Sequence, residues 1–194
     1  DRDGKLLAES TRPVDTTTPI YGMGSGWRYK GMRPISESAF FEIKVDNVLP
    51  WSFDKPNLYR AVFTLIDGNG RETDFEACNV GFRKISIENN VIKLNGKRVV
   101  FRGVNRHEHY WLTGRTVTKE HMTEEIKLMK KLNFNAVRTS HYPDDPVWYD
   151  LCDEYGLMVV CETNLETHGV AGNITNNPEW AEAMLERARR MVLT

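Results

Sequence analysis

Ionisable side chains are concentrated at three points of the 194-residue sequence, each close behind a short apolar run. The first cluster is residues 103–109 (GVNRHEH), the second is residues 138–143 (RTSHYP) and the third is residues 162–168 (ETNLETH). In a barrel of alternating strands and helices, active sites are built where the strands end. We therefore expect the three clusters to lie together at one rim and to form part of an active site.

Glu166 and His168, in the third cluster, stand two residues apart. Such residues project to the same side of an extended chain, so their carboxylate and imidazole can bind one divalent cation. Carboxylate ligands favour Mg²⁺ or Mn²⁺, and a single imidazole excludes neither ion. Two ligands are too few to define a metal site, and a solvated pair of loop side chains is the commoner explanation of this spacing.

His107 and His109, in the first cluster, share that spacing. Neutral imidazole both donates and accepts hydrogen bonds, which suits sugar hydroxyls; the alternative is a pair of loop histidines bonded to backbone. In the second cluster, Arg138 could hold a carboxylate in its charged form by bidentate hydrogen bonding. A surface salt bridge is the commoner role of a single arginine. His141 lies in the loop beyond it.

Aromatic residues flank these clusters: Tyr110, Trp111 and Tyr142 adjoin the histidines. An aromatic face can stack on the apolar face of a sugar ring. Trp148 stands at a predicted helix start, which favours a place in the core. His121 falls on a predicted helix, where we expect it to be solvated.

The second half of the sequence alternates short strands with amphipathic helices. Thr118 is a good N-cap for a helix that places Met122, Ile126 and Met129 on one face, and Gly156 is a good terminator for the next helix. The predicted elements are strands near 99–104, 133–137 and 157–161, and helices from 118, 146 and 178. These make about three βα units, whereas a closed eight-stranded barrel needs about 250 residues. We therefore expect an incomplete barrel, in an internal fragment or in a chain that lacks the rest.

The first half predicts antiparallel strands instead. Residues 1–38 are typical of turns and loops, and residues 41–45 alternate apolar and charged side chains as in a half-buried strand. Residues 59–66 and 73–82 predict a hairpin around the DGNG turn at 67–70, and strands without helices indicate part of a β-sandwich. A second hairpin then leads into the first barrel strand. We place a domain boundary near Lys84, between residues 1–84 and 85–194.

The composition excludes several classes of partner. The formal net charge of −1 gives no electrostatic reason to expect nucleic acid or an anionic membrane, and no apolar run approaches the roughly 20 residues that span a bilayer. Cys78, Cys152 and Cys161 are an odd number without metal-ligand spacing, so we expect buried free thiols. With no signal-like segment after the polar start, a cytoplasmic location is expected, and a periplasmic one stays open.

Several ordered runs resemble the β-galactosidases of glycoside hydrolase family 2, the large bacterial lactases. The resemblance covers about residues 80–172, and the matching runs are residues 95–97, 102–109, 133–138, 140–143, 151–153, 155–156 and 166–169. It implies a multi-domain protein in which an immunoglobulin-like β-sandwich portion is followed by the first part of an α/β TIM barrel. Residues 56–59 and 80–83 are similar to that sandwich.

The resemblance also implies roles for single residues. Glu166 and His168 match the family's active-site Mg²⁺ ligands, and His107 and His141 match histidines that contact the galactosyl ring and stabilise the transition state. Arg138 matches an arginine beside the nucleophile. The remaining matches are Glu162, a strand-end carboxylate of the same cluster, and His109, the second histidine of the pair. Cys161 departs from the family, which often has aspartate there.

Both catalytic glutamates of the family are expected beyond Thr194, so no residue of this chain matches the acid/base or the nucleophile. We expect the parent protein, a homo-oligomer, to cleave terminal β-D-galactosides, and this piece alone to be inactive. Two alternatives stay open: another family 2 activity such as β-glucuronidase, against which residues 106–109 argue, and a non-catalytic module that binds sugar.

Overall fold

The computed structural model describes residues 4–13 and 41–193. Residues up to Val48 and residues from Leu49 onward form two separate compact units. Most of the segment for which we predicted turns and loops, residues 14–38, lies outside the described residues. The predicted strand at 41–45 is wrong, because these residues form no strand. Apolar alternation is a local signal, whereas a strand also needs a hydrogen-bonded partner.

The first antiparallel pair consists of β1 (Tyr59–Ile66) and β2 (Glu72–Val80). The predicted DGNG turn joins them, and its geometry follows from its residue types. The carboxylate of Asp67 accepts hydrogen bonds from the backbone N–H groups of Asn69 at 2.8 Å and Arg71 at 2.9 Å. Gly70 has a φ of +80°, which favours glycine. The predicted hairpin is therefore confirmed.

A second antiparallel sheet contains β3 (Ile85–Glu88), β4 (Val91–Leu94) and β5 (Lys97–Arg98). Asn89, Asn90, Asn95 and Gly96 form its two turns with positive φ angles between 50° and 78°. This is the residue chemistry that two-residue hairpin turns require. The sheet leads directly into the parallel strands, as the sequence predicted.

Three parallel strands follow, in the order β6 (Gly103–Arg106), β7 (Ala136–Thr139) and β8 (Met158–Val160). They alternate with three helices, which are α1 (Lys119–Lys131), α2 (Pro146–Tyr155) and α3 (Ala181–Leu193). Short 3₁₀ turns span His168–Val170 and Pro178–Trp180. The three predicted βα units are therefore confirmed. Within the described part of the chain, no helix is long and apolar enough to cross a membrane.

The core lies between the parallel sheet and the first two helices. Its buried members are Met122, Ile126, Val137, Trp148, Leu151, Cys152 and Leu157. Trp148 is completely buried, as predicted. All three cysteines are free thiols, and Cys152 is buried and Cys161 half-buried. The expectation of burial is wrong for Cys78, because β2 belongs to a two-stranded sheet whose side chains are mostly exposed.

Helix α1 begins with a capping box that corrects our expectation for His121. The hydroxyl of Thr118 accepts from the backbone N–H of His121, and Nδ1 of His121 accepts from the backbone N–H of Thr118, each at 3.4 Å. The ring of His121 also stacks on Tyr110, with centroids 3.6 Å apart. His121 is therefore engaged by the helix start and by the loop after the first cluster, rather than simply solvated.

The loop around Trp51, which precedes β1, is hydrogen-bonded to helix α2 and to the end of helix α1. Trp51 is buried, and its indole N–H donates to the backbone oxygen of Asp153 at 2.8 Å. Nζ of Lys130 donates to the backbone oxygens of Phe53 and Gly156, both at 2.9 Å. Residues from Leu49 onward thus form one unit with the parallel strands. The boundary between domains 1–84 and 85–194 stays a prediction.

Candidate functional site

The ends of β7 and β8 meet at an open cavity of about 580 Å³, and β6 lies beside β7 in the same sheet. Its lining comes from the second and third sequence clusters: Arg138, His141, Cys161, Glu162, Thr163, Leu165, Glu166 and His168. Because the strands are parallel, their carboxyl ends lie at one edge of the sheet. That common edge is why residues more than 20 positions apart in sequence share one cavity.

Glu162 is the centre of the polar network in this cavity. One carboxylate oxygen, Oε1, accepts a close hydrogen bond from Nε of Arg138, and the other, Oε2, lies 2.8 Å from Nδ1 of His141. The backbone N–H of Glu162 donates to the buried hydroxyl of Thr139 at 3.1 Å. Desolvation acts to raise the pKa of Glu162, but the hydrogen bonds from His141 and Arg138 outweigh it and lower that pKa.

Arg138 connects all three strands. Its position in β7 is in register with Asn105 of β6 and Val160 of β8. Besides its bond to Glu162, its guanidinium donates to Oδ1 of Asn105 at 3.3 Å. The arginine thus has a carboxylate partner, as the sequence suggested, and that partner belongs to this chain.

The first cluster joins the second through two rings. The imidazoles of His107 and His141 meet edge to face with centroids 5.5 Å apart. The hydroxyl of Tyr142 lies 3.4 Å from Nδ1 of His107 and accepts from the backbone N–H of Glu108 at 3.2 Å. The predicted convergence of His107, His141 and Arg138 is therefore seen in the structure. His107 and His109 are both exposed, and neither is among the residues that line the cavity; His107 adjoins it through its contact with His141.

Glu166 and His168 line the same cavity and face each other. Oε1 of Glu166 lies 3.0 Å from Nδ1 of His168 and accepts from the backbone N–H of His168, also at 3.0 Å. Two ligands at right angles on an octahedral Mg²⁺, each about 2.1 Å from the ion, lie about 3.0 Å apart. This spacing is compatible with one divalent cation between the two side chains, and it is equally the spacing of the hydrogen-bonded Glu166–His168 pair that the structure shows. Among the described residues, no group of three or more His, Cys, Asp or Glu side chains could hold a metal ion.

A buried charge cluster beneath the rim had no counterpart in the sequence predictions. Nε of Arg106 donates to Glu125 at 2.8 Å and a terminal nitrogen donates to Asp144 at 2.7 Å, while the guanidinium lies 3.9 Å above the ring of Trp148. Burial raises the pKa of Asp144 to about 6, even though Arg106 acts to lower it. These contacts join residues 19 and 38 positions apart, which no local spacing could reveal.

Two family models match the chain. The model described as "Glycosyl hydrolases family 2, TIM barrel domain" matches residues 85–194, and the model described as "Glycosyl hydrolases family 2" matches residues 9–83. The fold is accordingly the family's immunoglobulin-like domain followed by the start of its TIM barrel.

Similar solved structures include several β-glucuronidases. The enzyme of Parabacteroides merdae is 30% identical with a TM-score of 0.59, over 66% of this chain and 16% of that one. The enzyme of Ruminococcus gnavus in complex with D-glucuronic acid is 33% identical with a TM-score of 0.58, over 61% and 20%. The Bifidobacterium dentium enzyme complexed with coumarin-3-O-glucuronide is 30% identical with a TM-score of 0.59, over 61% and 19%.

The chain thus spans between 16% and 20% of the length of these structures. Their titles describe the activity of those proteins, and they leave the sugar specificity of this chain open. The family models together match most of its residues, and the barrel model alone matches more than half. The chain therefore belongs to family 2 of the glycosyl hydrolases.

Proposed function

We propose that this chain is the sandwich-to-barrel portion of a longer, retaining glycosidase that cleaves terminal β-D-galactosides. The observation that carries the proposal is the convergence of His141 and the Arg138–Glu162 pair on one cavity at the strand ends, with the ring of His107 packed edge to face against His141. In this portion the residues bind and orient the sugar. The same runs of sequence that resemble β-galactosidases supply these side chains.

The charges of the cavity support a neutral sugar as the substrate. Of the described residues that line it, Glu162 and Glu166 carry negative charge and Arg138 carries positive charge, with both histidines counted as neutral. Arg138 already donates to Glu162. A glucuronide would place a further carboxylate beside Glu162 and Glu166, and the one cationic side chain of the described lining, Arg138, has its carboxylate partner already. A galactoside brings only hydroxyl groups, which suit imidazole.

β-Glucuronide hydrolysis is the second candidate, because several of the similar structures are named β-glucuronidases. It requires a cation for the carboxylate of the substrate. Arg138 is the one cationic side chain of the described lining and already donates to Glu162, so this hypothesis needs a further cation from elsewhere in the longer protein. A non-catalytic sugar-binding module is the third candidate, and it requires no reacting carboxylates at all.

The reacting carboxylates are assigned to the rest of the longer protein. Retaining hydrolysis needs one carboxyl group to protonate the leaving oxygen and another, about 5 Å away, to attack the anomeric carbon. Glu162 is held by two hydrogen bonds from His141 and Arg138, which suits a positioning role rather than attack. Glu166 is paired with His168. We therefore propose that both catalytic glutamates lie outside residues 1–194.

We further propose that Glu166 and His168 provide two protein ligands for Mg²⁺, with the remaining ligands coming from water and from the rest of the barrel. A bound divalent cation would supply positive charge that stabilises negative charge near the sugar. The support is the place of both side chains in the cavity lining and their nearness to each other, which would let a cation replace the hydrogen bond between them.

The test is a comparison of substrates on the longer protein. We expect kcat/KM for 4-nitrophenyl β-D-galactoside to exceed that for the glucuronide by about 10- to 10²-fold, because a carboxylate that lacks a charged hydrogen-bond partner loses about 1.5–3 kcal/mol. Preference for the glucuronide would favour the second candidate, and inertness toward both would favour the third. The purified 194-residue chain is the control, and we expect no hydrolysis of either substrate above background.

A further inference from the structure

Nδ1 of His141 lies close to two groups whose hydrogen-bonding demands conflict. Oε2 of Glu162 is 2.8 Å away and a terminal nitrogen of Arg138 is 3.4 Å away. A carboxylate can only accept a hydrogen bond, and a guanidinium can only donate one. One ring nitrogen cannot donate to the first and accept from the second at the same time. The geometry must therefore select one state of the ring.

The shorter contact decides the state. If Nδ1 carried a lone pair, two acceptors would face each other at 2.8 Å, which is repulsive. Arg138 keeps Glu162 ionised, so the carboxylate cannot offer a proton instead. Nδ1 must then carry a hydrogen and donate it to Glu162, at a distance typical of charge-assisted hydrogen bonds. The guanidinium contact at 3.4 Å is the longer of the two, and a protonated Nδ1 cannot accept a hydrogen bond from it.

The hydrogen on Nδ1 fixes the chemistry of the other ring nitrogen. In a neutral imidazole one nitrogen donates and the other accepts. A carboxylate that holds Nδ1–H therefore leaves Nε2 with a lone pair, and the orientation of the ring is set by the same bond. A sugar hydroxyl at Nε2 would have to donate its hydrogen.

We propose that Glu162 is a positioning residue that holds His141 as the Nδ1–H tautomer, so that Nε2 accepts a hydrogen bond from a hydroxyl of the substrate. The tautomer follows from contacts within this chain. The role of the hydroxyl rests on the proposed glycosidase function. The two parts are tested separately, so that one can fail without the other.

The first experiment measures the tautomer in the 194-residue chain. Long-range ¹H–¹⁵N correlation spectra of ¹⁵N-histidine-labelled protein distinguish protonated from unprotonated ring nitrogens, and His141→Asn identifies the signal. At about pH 8.5, where an ordinary histidine is neutral, we expect Nδ1 of His141 to be protonated and Nε2 to be bare. A predominantly Nε2–H ring in the unmutated chain would overturn the proposal without any variant.

Glu162→Gln gives a sharper expectation, because an amide has one acceptor and one donor end. Nε of Arg138 can only donate, so the amide oxygen must face Arg138 and the amide NH₂ must face Nδ1 of His141. Nδ1 must then accept, and we expect the tautomer to invert to Nε2–H. Glu166→Gln removes a carboxylate from the same cavity without touching His141 and should leave the tautomer unchanged. An unchanged Nδ1–H ring in Glu162→Gln would refute the role of Glu162.

The second experiment tests the hydroxyl in the longer protein with deoxyfluoro analogues of 4-nitrophenyl β-D-galactoside. Fluorine can accept a hydrogen bond but cannot donate one. The unmutated enzyme should therefore discriminate against fluorine at the hydroxyl that His141 contacts. In Glu162→Gln, where Nε2 would donate, the ratio of kcat/KM for the fluoro and hydroxy substrates should rise about tenfold, as for one regained hydrogen bond. If the ratio were unaltered for fluorine at every ring position, the proposed contact between Nε2 of His141 and a substrate hydroxyl would be refuted. The tautomer measured in the first experiment would not be affected.

Discussion

Gly103 is the position where a single added carbon should disturb the whole site. It begins β6 and pairs with Ala136 of β7, so it lies directly beneath the strand ends that carry His107 and Arg138. A Cβ at residue 103 would lie 2.6 Å from the backbone oxygen of Ala136 and 3.2 Å from its Cβ. Ala136 is itself buried at 3% exposure. The backbone it would strike therefore has no open space into which to move.

The size of the effect follows from that overlap. Ordinary contact begins at 3.4 Å, so relief of the 2.6 Å approach requires β6 and β7 to separate by about 0.8 Å. Overpacking of this kind costs about 1–3 kcal/mol. For a chain of this length, that corresponds to a loss of about 2–12 °C in Tm. A displacement near 1 Å also misplaces His107 relative to His141, which can cost about 10²-fold in rate.

The assay is urea unfolding of Gly103→Ala, followed by the fluorescence of the buried Trp51 and Trp148. Gly68→Ala is the matched control, because a Cβ there would meet nothing within 4 Å, and we expect its free energy of unfolding to change by about 0.5 kcal/mol or less. In the longer protein, Gly103→Ala should also lower kcat on the galactoside. Equal stabilities of the two variants would refute the close approach of β6 and β7.

Three further outcomes are expected. Gly156→Ala should destabilise the chain by about 1–3 kcal/mol more than Gly96→Ala. Both glycines have a φ of +78°, but of the two only Gly156 would bring a Cβ against backbone, 2.5 Å from the oxygen of Phe53. Equal urea midpoints of the two variants would contradict this. The pKa of Asp144 is about 6 in the folded chain against an ordinary 3.8, so the folded chain binds this proton more tightly than the unfolded chain. Acidification from about pH 7 to 4.5 should therefore stabilise the unmutated chain relative to Asp144→Asn by the order of 1–3 kcal/mol. A loss of stability relative to Asp144→Asn would contradict this. In the longer protein, Glu166→Gln should weaken Mg²⁺ activation in a metal titration, with Glu182→Gln as control, and an unchanged titration would reject Glu166 as a ligand.

Elements with local signals were predictable from the sequence. Thr118 caps α1, Pro146 and Gly156 bound α2, and the DGNG turn closes the first hairpin, because each of these depends on residues only a few positions apart. The prediction of a strand at 41–45 was wrong because the alternation of apolar and charged residues carries no information about a hydrogen-bonded partner strand. The prediction that His121 is solvated was wrong. The spacing of apolar residues does not show that a histidine ring caps its own helix and stacks on Tyr110.

The site was predictable as a meeting of strand ends, but not as a network. Parallel strands necessarily bring residues 107, 141 and 162 to one edge, so their convergence followed from the βα alternation. The two hydrogen bonds that Glu162 accepts from Arg138 and His141 depend on side-chain geometry that the sequence does not specify. The Arg106–Asp144 pair, whose guanidinium lies over the ring of Trp148, also depends on tertiary packing.

The most direct test of the central claim is a double-mutant cycle between His107 and His141 in the longer protein, read as kcat/KM on 4-nitrophenyl β-D-galactoside. We expect each alanine variant to lose about 10²-fold, as for one preorganised polar contact. The two rings contact each other with centroids 5.5 Å apart, and we propose that both contact one sugar. The double variant should therefore lose less than the product of the two, with a coupling of about 0.5–3 kcal/mol. Losses that simply multiply, or that are absent, would contradict a shared galactoside site.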